Sequence, residues 1–178
     1  MIKLTILLLF IITNILYASS TYYNHKVSQF KQLSKQTNKK IVMIGDSITD
    51  RGLWSELINR NDIINRGISG DTTSGVLNRL DYLNPNIQQA FIMIGINDLL
   101  RSQSVENIFS NYKKIIMKLE QIPIKPIIQS TLYVRSNTKT INQSVKQLNN
   151  LLRDYGKKNE IEFIDLNINL APNGVLLE

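Results

Sequence analysis

The pentapeptide Gly45-Asp46-Ser47-Ile48-Thr49 follows the apolar run Ile41-Val42-Met43-Ile44 without a break. A hydroxyl at the exposed end of a buried strand is where a nucleophile for acyl transfer belongs. Two more polar clusters repeat that placement. Gly67-Ile68-Ser69-Gly70-Asp71 follows Ile63-Ile64-Asn65-Arg66, and Gly95-Ile96-Asn97-Asp98 follows Phe91-Ile92-Met93-Ile94. Attack on an ester carbonyl puts negative charge on its oxygen, and fixed N–H donors aimed at that oxygen are commonly the largest single catalytic contribution. The backbone N–H groups of Ser47 and Gly70 and the side-chain amide of Asn97 offer three such donors. Glycine at 70 lets the backbone approach a substrate closely, and asparagine at 97 donates without adding charge. A serine nucleophile ordinarily needs an imidazole as its base, yet the only histidine, His25, lies upstream of all three clusters.

The elements that must position these residues are legible as alternating patterns. Short apolar runs predict strands near Lys40–Ile44, Ile63–Arg66, Ala90–Ile94, Ile124–Thr131 and Ile161–Leu166, with segments of helical period between them. Strands alternating with helices imply βαβ units and a parallel sheet with helices on both faces. In such sheets ligands bind outside the carboxyl ends of the strands, where strand order reverses. With order 2-1-3-4-5 the first three strands are neighbours, and Ser47, Gly70 and Asn97 converge on one crevice. Val105, Ile108, Phe109, Tyr112, Ile115, Ile116 and Leu119 recur at steps of three and four, predicting a helix that ends before Pro123. A second stripe runs from Ile141 through Tyr155, with Thr140 and Gln143 as a capping box and Gly156 as its close. Weaker helices are expected from about Gly52 to Arg60, with Trp54, Leu57 and Ile58 inward, and from about Thr73 to Leu80, with Val76, Leu77 and Leu80 inward.

The three clusters together resemble the first three sequence blocks of the SGNH (GDSL-type) hydrolases, closest to the branch related to platelet-activating-factor acetylhydrolase. The resemblance covers roughly Lys40 to Leu166. It implies a flavodoxin-like α/β/α sandwich and hydrolysis of small carboxylic esters, acyl or acetyl, through an acyl-serine intermediate, with no metal or organic cofactor. It implies Ser47 as nucleophile, Gly70 and Asn97 as the rest of the oxyanion hole, and Asp46 in support. The family's remaining block, an Asp-x-x-His after the fifth strand, has no counterpart: no histidine follows Ser47. His25 sits in a polar segment and is not expected to act as base, and Asp165, ending the fifth strand, reads as structural. The expectation is a C-terminally truncated domain, lacking the final helix and impaired as an esterase.

Singly, each cluster has a plainer reading. Ser47 could cap a helix, Asn97 and Asp98 could make a turn, and Gly70 could serve a tight loop. Two other functions also remain open. A non-catalytic binder of acylated glycans or lipids would keep the crevice without the base. A magnesium-dependent phosphoryl-transfer domain would use Asp46, Asp50, Asp71 and Asp98 at the same sheet edge, but the fifth strand ends Ile164-Asp165-Leu166-Asn167 without the lysine such domains want.

At 178 residues, 43% of them hydrophobic and 20% charged, the chain is long enough for one globular domain. Residues 1–18 resemble an export signal: Lys3 precedes the apolar run Leu4 to Ile12, too short to span a bilayer, and Ala18 offers a cleavage point. Residues 19–39 read as a polar segment with a short helix through Val27, Phe30 and Leu33, and 40–178 as the hydrolase-type domain. The exported product is expected to be periplasmic or secreted, or membrane-anchored if the signal is not cleaved. The net charge of +7 comes from scattered lysines with no interleaved aromatics, which argues against nucleic acid as a partner and leaves a small-molecule ester. Zero cysteines exclude disulfides and thiolate metal sites.

Overall fold

The computed structural model describes residues 21–35, 38–135 and 139–177, so the expected export signal lies outside the described residues. In chain order the elements are α1 (21–33), β1 (Ile41–Gly45), α2 (Ser47–Arg51), α3 (Trp54–Leu57), β2 (Ile63–Gly67) and α4 (Thr73–Leu77). A 3₁₀ turn at Leu80–Tyr82 leads to β3 (Gln89–Met93), α5 (Ile96–Leu100), α6 (Val105–Gln121), β4 (Lys125–Gln129), α7 (Lys139–Lys158), β5 (Glu162–Ile164) and α8 (Asn167–Leu170). The five strands are parallel in the order β2-β1-β3-β4-β5. This is the expected 2-1-3-4-5 sheet of a three-layer α/β/α sandwich. Among the described residues no helix is long and apolar enough to cross a membrane.

Alternation along β1 divides its side chains between two cores. Val42 and Ile44 join a cluster with Val76, Ile92, Tyr112, Ile116 and Leu148 under α4, α6 and α7, whereas Ile41 and Met43 pack with Ile63, Trp54 and Phe91 beside α3. The stripe on α6 is buried as expected, at Val105, Ile108, Tyr112, Ile115, Ile116 and Leu119, and each such side chain gains about 1.5–3 kcal/mol from leaving water. Ser104 caps this helix by accepting from the Asn107 N–H at 3.2 Å. Tyr112 also reaches the sheet: its hydroxyl donates to the Ile94 carbonyl at 2.9 Å and accepts from the Ile94 N–H at 3.1 Å. That ties α6 to the residue just before Gly95-Ile96-Asn97.

Several boundaries differ from expectation for identifiable reasons. β4 ends at Gln129 rather than Thr131 because the Thr131 N–H donates to Asn149 Oδ1 at 2.9 Å instead of to a strand. β5 ends at Ile164 because the Leu166 N–H turns to Ser130 Oγ and the Asn167 N–H turns back to Asp165 Oδ1. Thr140 lies inside α7, and Gly156 does not close the helix, which runs on to Lys158. The reason for a glycine there is steric, since a Cβ at 156 would stand 2.8 Å from the Ile161 carbonyl oxygen as the chain turns toward β5. Leu57 and Ile58, expected inward, are exposed because α3 is a single turn that presents only Trp54 to the sheet. On α1 Phe30 is buried but Leu33 is exposed; the inward face instead includes Tyr23 and Lys26, whose polar tips bond to Gly75 and Asp50.

Candidate active site

Gly45 is in register with Gly67 on one side and Met93 on the other, so the loops after β1, β2 and β3 leave the sheet side by side. The structure therefore brings Ser47, Gly70 and Asn97 to one edge, each partly exposed. Ser47 is the first residue of α2 and not its cap. The cap is Asp46, whose carboxylate accepts from the Ile48 N–H at 3.1 Å. No hydrogen bond among the described residues engages the Ser47 hydroxyl, so it is available to a ligand.

The loop carrying Gly70 is held from both sides. Asp50, at the end of α2, accepts from the Ser69 N–H at 3.1 Å and the Ser69 hydroxyl at 2.9 Å. The same carboxylate accepts from Tyr22 and Lys26 of α1, so the short helix ahead of the first strand anchors the rim of the site. Burial pushes the Asp50 carboxyl up, but Lys26, Tyr22 and Ser69 outweigh it and hold it below its ordinary value. Gly70 has φ of +79°, a conformation that strains any residue with a Cβ. On the far side Arg79 pairs with Asp71 through Nε and Nη2, each at 2.8 Å, both side chains almost wholly buried, and Nη2 also donates to the Gly45 carbonyl at 3.3 Å. Arg79 thus clamps the loop after β2 to the end of β1.

Asn97 donates its amide nitrogen to the Asp71 carbonyl at 3.0 Å. One N–H of that amide is used, and the other is free for a substrate oxygen. Beneath it, buried Asp98 accepts from the Thr73 hydroxyl at 2.6 Å and the Thr73 N–H at 3.0 Å, and Asn111 donates to the same hydroxyl at 3.0 Å. These contacts fix α5 against the start of α4. The roles of Arg79, Thr73 and Asn111 as partners are not legible in the sequence; the one signal is a charge at Arg79 inside the apolar stripe Val76, Leu77, Leu80.

Each of the four aspartates weighed as a magnesium set is committed to its own partners, and among the described residues no three acidic or imidazole side chains gather as a metal site. His25 is exposed on α1. Asp165 accepts from Arg153 at 2.5 Å and from the Asn167 N–H at 3.1 Å, a structural role. Beside Ile48 and Ile96 lies a cavity of about 180 Å³, walled mainly by Met93, Leu132, Val134 and Leu176.

Asp46 carries a measurable consequence. Burial raises its pKa from 3.8 to about 6, helped by the charges of Asp71 and Asp98 and opposed by the Ile48 N–H. A carboxyl whose folded pKa lies above its unfolded value stabilises the fold fully below the unfolded value, and that stability is lost as pH rises through the folded one. Between pH about 4 and 6 the protein should lose up to about 3 kcal/mol on this account. Asp46→Asn keeps the acceptor for Ile48 and cannot ionise. Urea unfolding at pH 4 and pH 7.5 should show the variant gaining on the parent at the higher pH; parallel behaviour would contradict a buried, neutralised Asp46.

The chain is similar to an N-acylneuraminate cytidylyltransferase of Streptococcus agalactiae serotype III, with 30% identity over 148 residues, 83% of this chain and 34% of the relative. It therefore spans about a third of the length of the curated relatives it matches. Among solved structures it superposes on a Streptococcus pneumonia protein provisionally named a platelet activating factor, at TM-score 0.86 and 20% identity, covering 95% of this chain and 86% of that one. It also superposes on a GDSL-like lipase of Bacteroides thetaiotaomicron at TM-score 0.71 and 23% identity, covering 83% and 79%. Those likenesses concern the fold. The sequence blocks that meet at the edge of β1, β2 and β3 fall within residues 43–177, which match the model of the GDSL-like lipase/acylhydrolase family, and the chain belongs to that family.

Proposed function

We propose that the site hydrolyses small carboxylic esters through an acyl-Ser47 intermediate. Ser47 Oγ attacks the carbonyl carbon, the alcohol leaves with a proton, and water then releases the acid and restores the serine. The backbone N–H groups of Ser47 and Gly70 and the free N–H of Asn97 receive the charge that develops on the carbonyl oxygen. Asp46 supports the nucleophile by capping α2 at its first turn. The observation that carries this reading is the Asn97 amide fixed at 3.0 Å to the carbonyl of Asp71, the neighbour of Gly70, at the edge where Ser47 is partly exposed. The apolar cavity beside Ile48 has room for a short acyl chain.

Within these 178 residues Ser47 works without an imidazole, because the exposed His25 is the only one. Loss of the base costs serine hydrolases about a millionfold in turnover, while oxyanion binding and positioning still leave roughly 1,000 to 10,000-fold over water. The polypeptide should therefore react with a fluorophosphonate over hours, at Ser47 only. Intact-mass and peptide analysis of the parent and Ser47→Ala tests this. Equal labelling of the Ser47→Ala variant removes Ser47 as nucleophile, and stoichiometric labelling within minutes shows that the serine has a base after all. Binding of an ester without any turnover would favour the acyl-binding alternative.

A further inference from the structure

Resting on that ester reading, we propose that the cleft between α4, α5 and α6 is the subsite for the alcohol part of the ester, and that it selects an anionic, hydroxyl-rich group such as an acidic sugar. The cleft measures about 500 Å³, within the roughly 300–1,000 Å³ of small-molecule sites. Its position is set by the catalytic edge. Asp98, next in the chain to Asn97, forms part of its wall, and Arg101, another wall residue, donates from Nη2 to the Gly70 carbonyl at 2.8 Å. Through Arg101 and Asp98 the cleft adjoins the Gly70 loop and α5, between which the carbonyl oxygen of an ester would rest.

The lining chemistry differs from that of the cavity beside Ile48. Thr72, Ser74 and Ser110 bring hydroxyls and Gln103 and Asn107 bring amides, groups that exchange hydrogen bonds with sugar hydroxyls and have little to offer an acyl chain. Two cations, Arg101 and Lys114, also line it. Neither forms an ion pair among the described residues. The one carboxylate in the wall, Asp98, feels the charge of Arg101 but makes no ion pair with it, being 3% exposed and engaged by Thr73. Arg101 is held in place by a backbone carbonyl, with one guanidinium nitrogen occupied and donors left over. A planar fork fixed in this way loses little freedom on meeting a carboxylate. Cations placed at a polar cleft and answered by no accessible acid select for negative charge.

The test is calorimetric titration of the 178-residue chain with two probes, the methyl glycosides of O-acetylated glucuronic acid and of O-acetylated glucose. At low salt the acidic probe should bind about tenfold more tightly, the scale of one charge-assisted contact. That preference should shrink in about 0.5 M salt, where the Debye length is only a few ångströms. Lys114→Gln and Arg101→Gln should each bring the ratio of the two affinities toward one. Equal affinities in the parent, binding of neither probe, or a preference unmoved by both substitutions would overturn the subsite. Fluorophosphonate labelling of Ser47 reads the ester chemistry separately. A labelled Ser47 with no acid preference removes the subsite alone, and an acid preference that both substitutions abolish, with no reaction at Ser47, removes the ester reading alone.

Discussion

Replacing Asn97 by alanine should lower the turnover of an activated acetyl ester by about 100 to 1,000-fold, the usual cost of one oxyanion donor. The expectation follows from how the amide is held. The Nδ2 bond to the Asp71 carbonyl at 3.0 Å aims the group before substrate arrives, and preorganised donors stabilise the developing charge without reorganising during the reaction. Because that charge exists only in the transition state, kcat should fall while KM changes little. On the proposed reading this substitution should bring the 178-residue polypeptide close to the Ser47→Ala background. Asn97 is partly exposed and loses one neutral hydrogen bond, which limits the stability cost to about 0.5–1.5 kcal/mol. Steady-state rates for p-nitrophenyl acetate, beside a thermal melt, check both halves. A kcat within threefold of the parent would show that Asn97 does not face the reacting oxygen.

The sheet order and the meeting of Ser47, Gly70 and Asn97 at one edge were legible because each depends on residues close together in sequence: an apolar run, a glycine, a polar side chain at the strand end. What was hidden depends on partners far apart in the chain. Nothing near Asp50 signals that Tyr22 and Lys26, on α1, will take its carboxylate. Arg79 amid Val76, Leu77 and Leu80 announces a buried charge, but Asp71 and Asp98 stand equally ready in sequence to answer it. The fold decides, giving Asp71 to Arg79 and Asp98 to Thr73. Arg66 is a clearer case. Among the described residues its Nε has no partner, its guanidinium lies 4.6 Å from the centre of the Phe30 ring, and burial with Arg79 close by lowers its pKa to about 10. A lone arginine in a strand of sequence Ile-Ile-Asn-Arg-Gly carries no hint of that stack.

Arg79 is where fold stability and site geometry meet, and Arg79→Met should cost about 3–5 kcal/mol by leaving the Asp71 carboxylate buried without its cation. For a domain of this size that is a fall in Tm of about 6–20 °C. The Arg79 and Asp71 side chains are only 3% and 2% exposed, so water cannot take the place of the missing partner. Removing both charges should cost much less. Asp71→Ala with Arg79→Met eliminates the orphaned carboxylate and also takes a positive charge away from Arg66, which Arg79 disfavours. Double-mutant analysis should therefore give strong coupling, with the double variant more stable than Arg79→Met alone. Reactivity should not recover with stability, because the clamp is gone in both variants: Arg79 no longer joins the loop of Gly70 to the Gly45 carbonyl. Fluorophosphonate labelling of Ser47 should stay slower than in the parent in the double variant even where its melt approaches that of the parent. If labelling recovers together with Tm, the ion pair serves stability only, and the Gly70 loop owes its position to Asp50 and Ser69 on its other side.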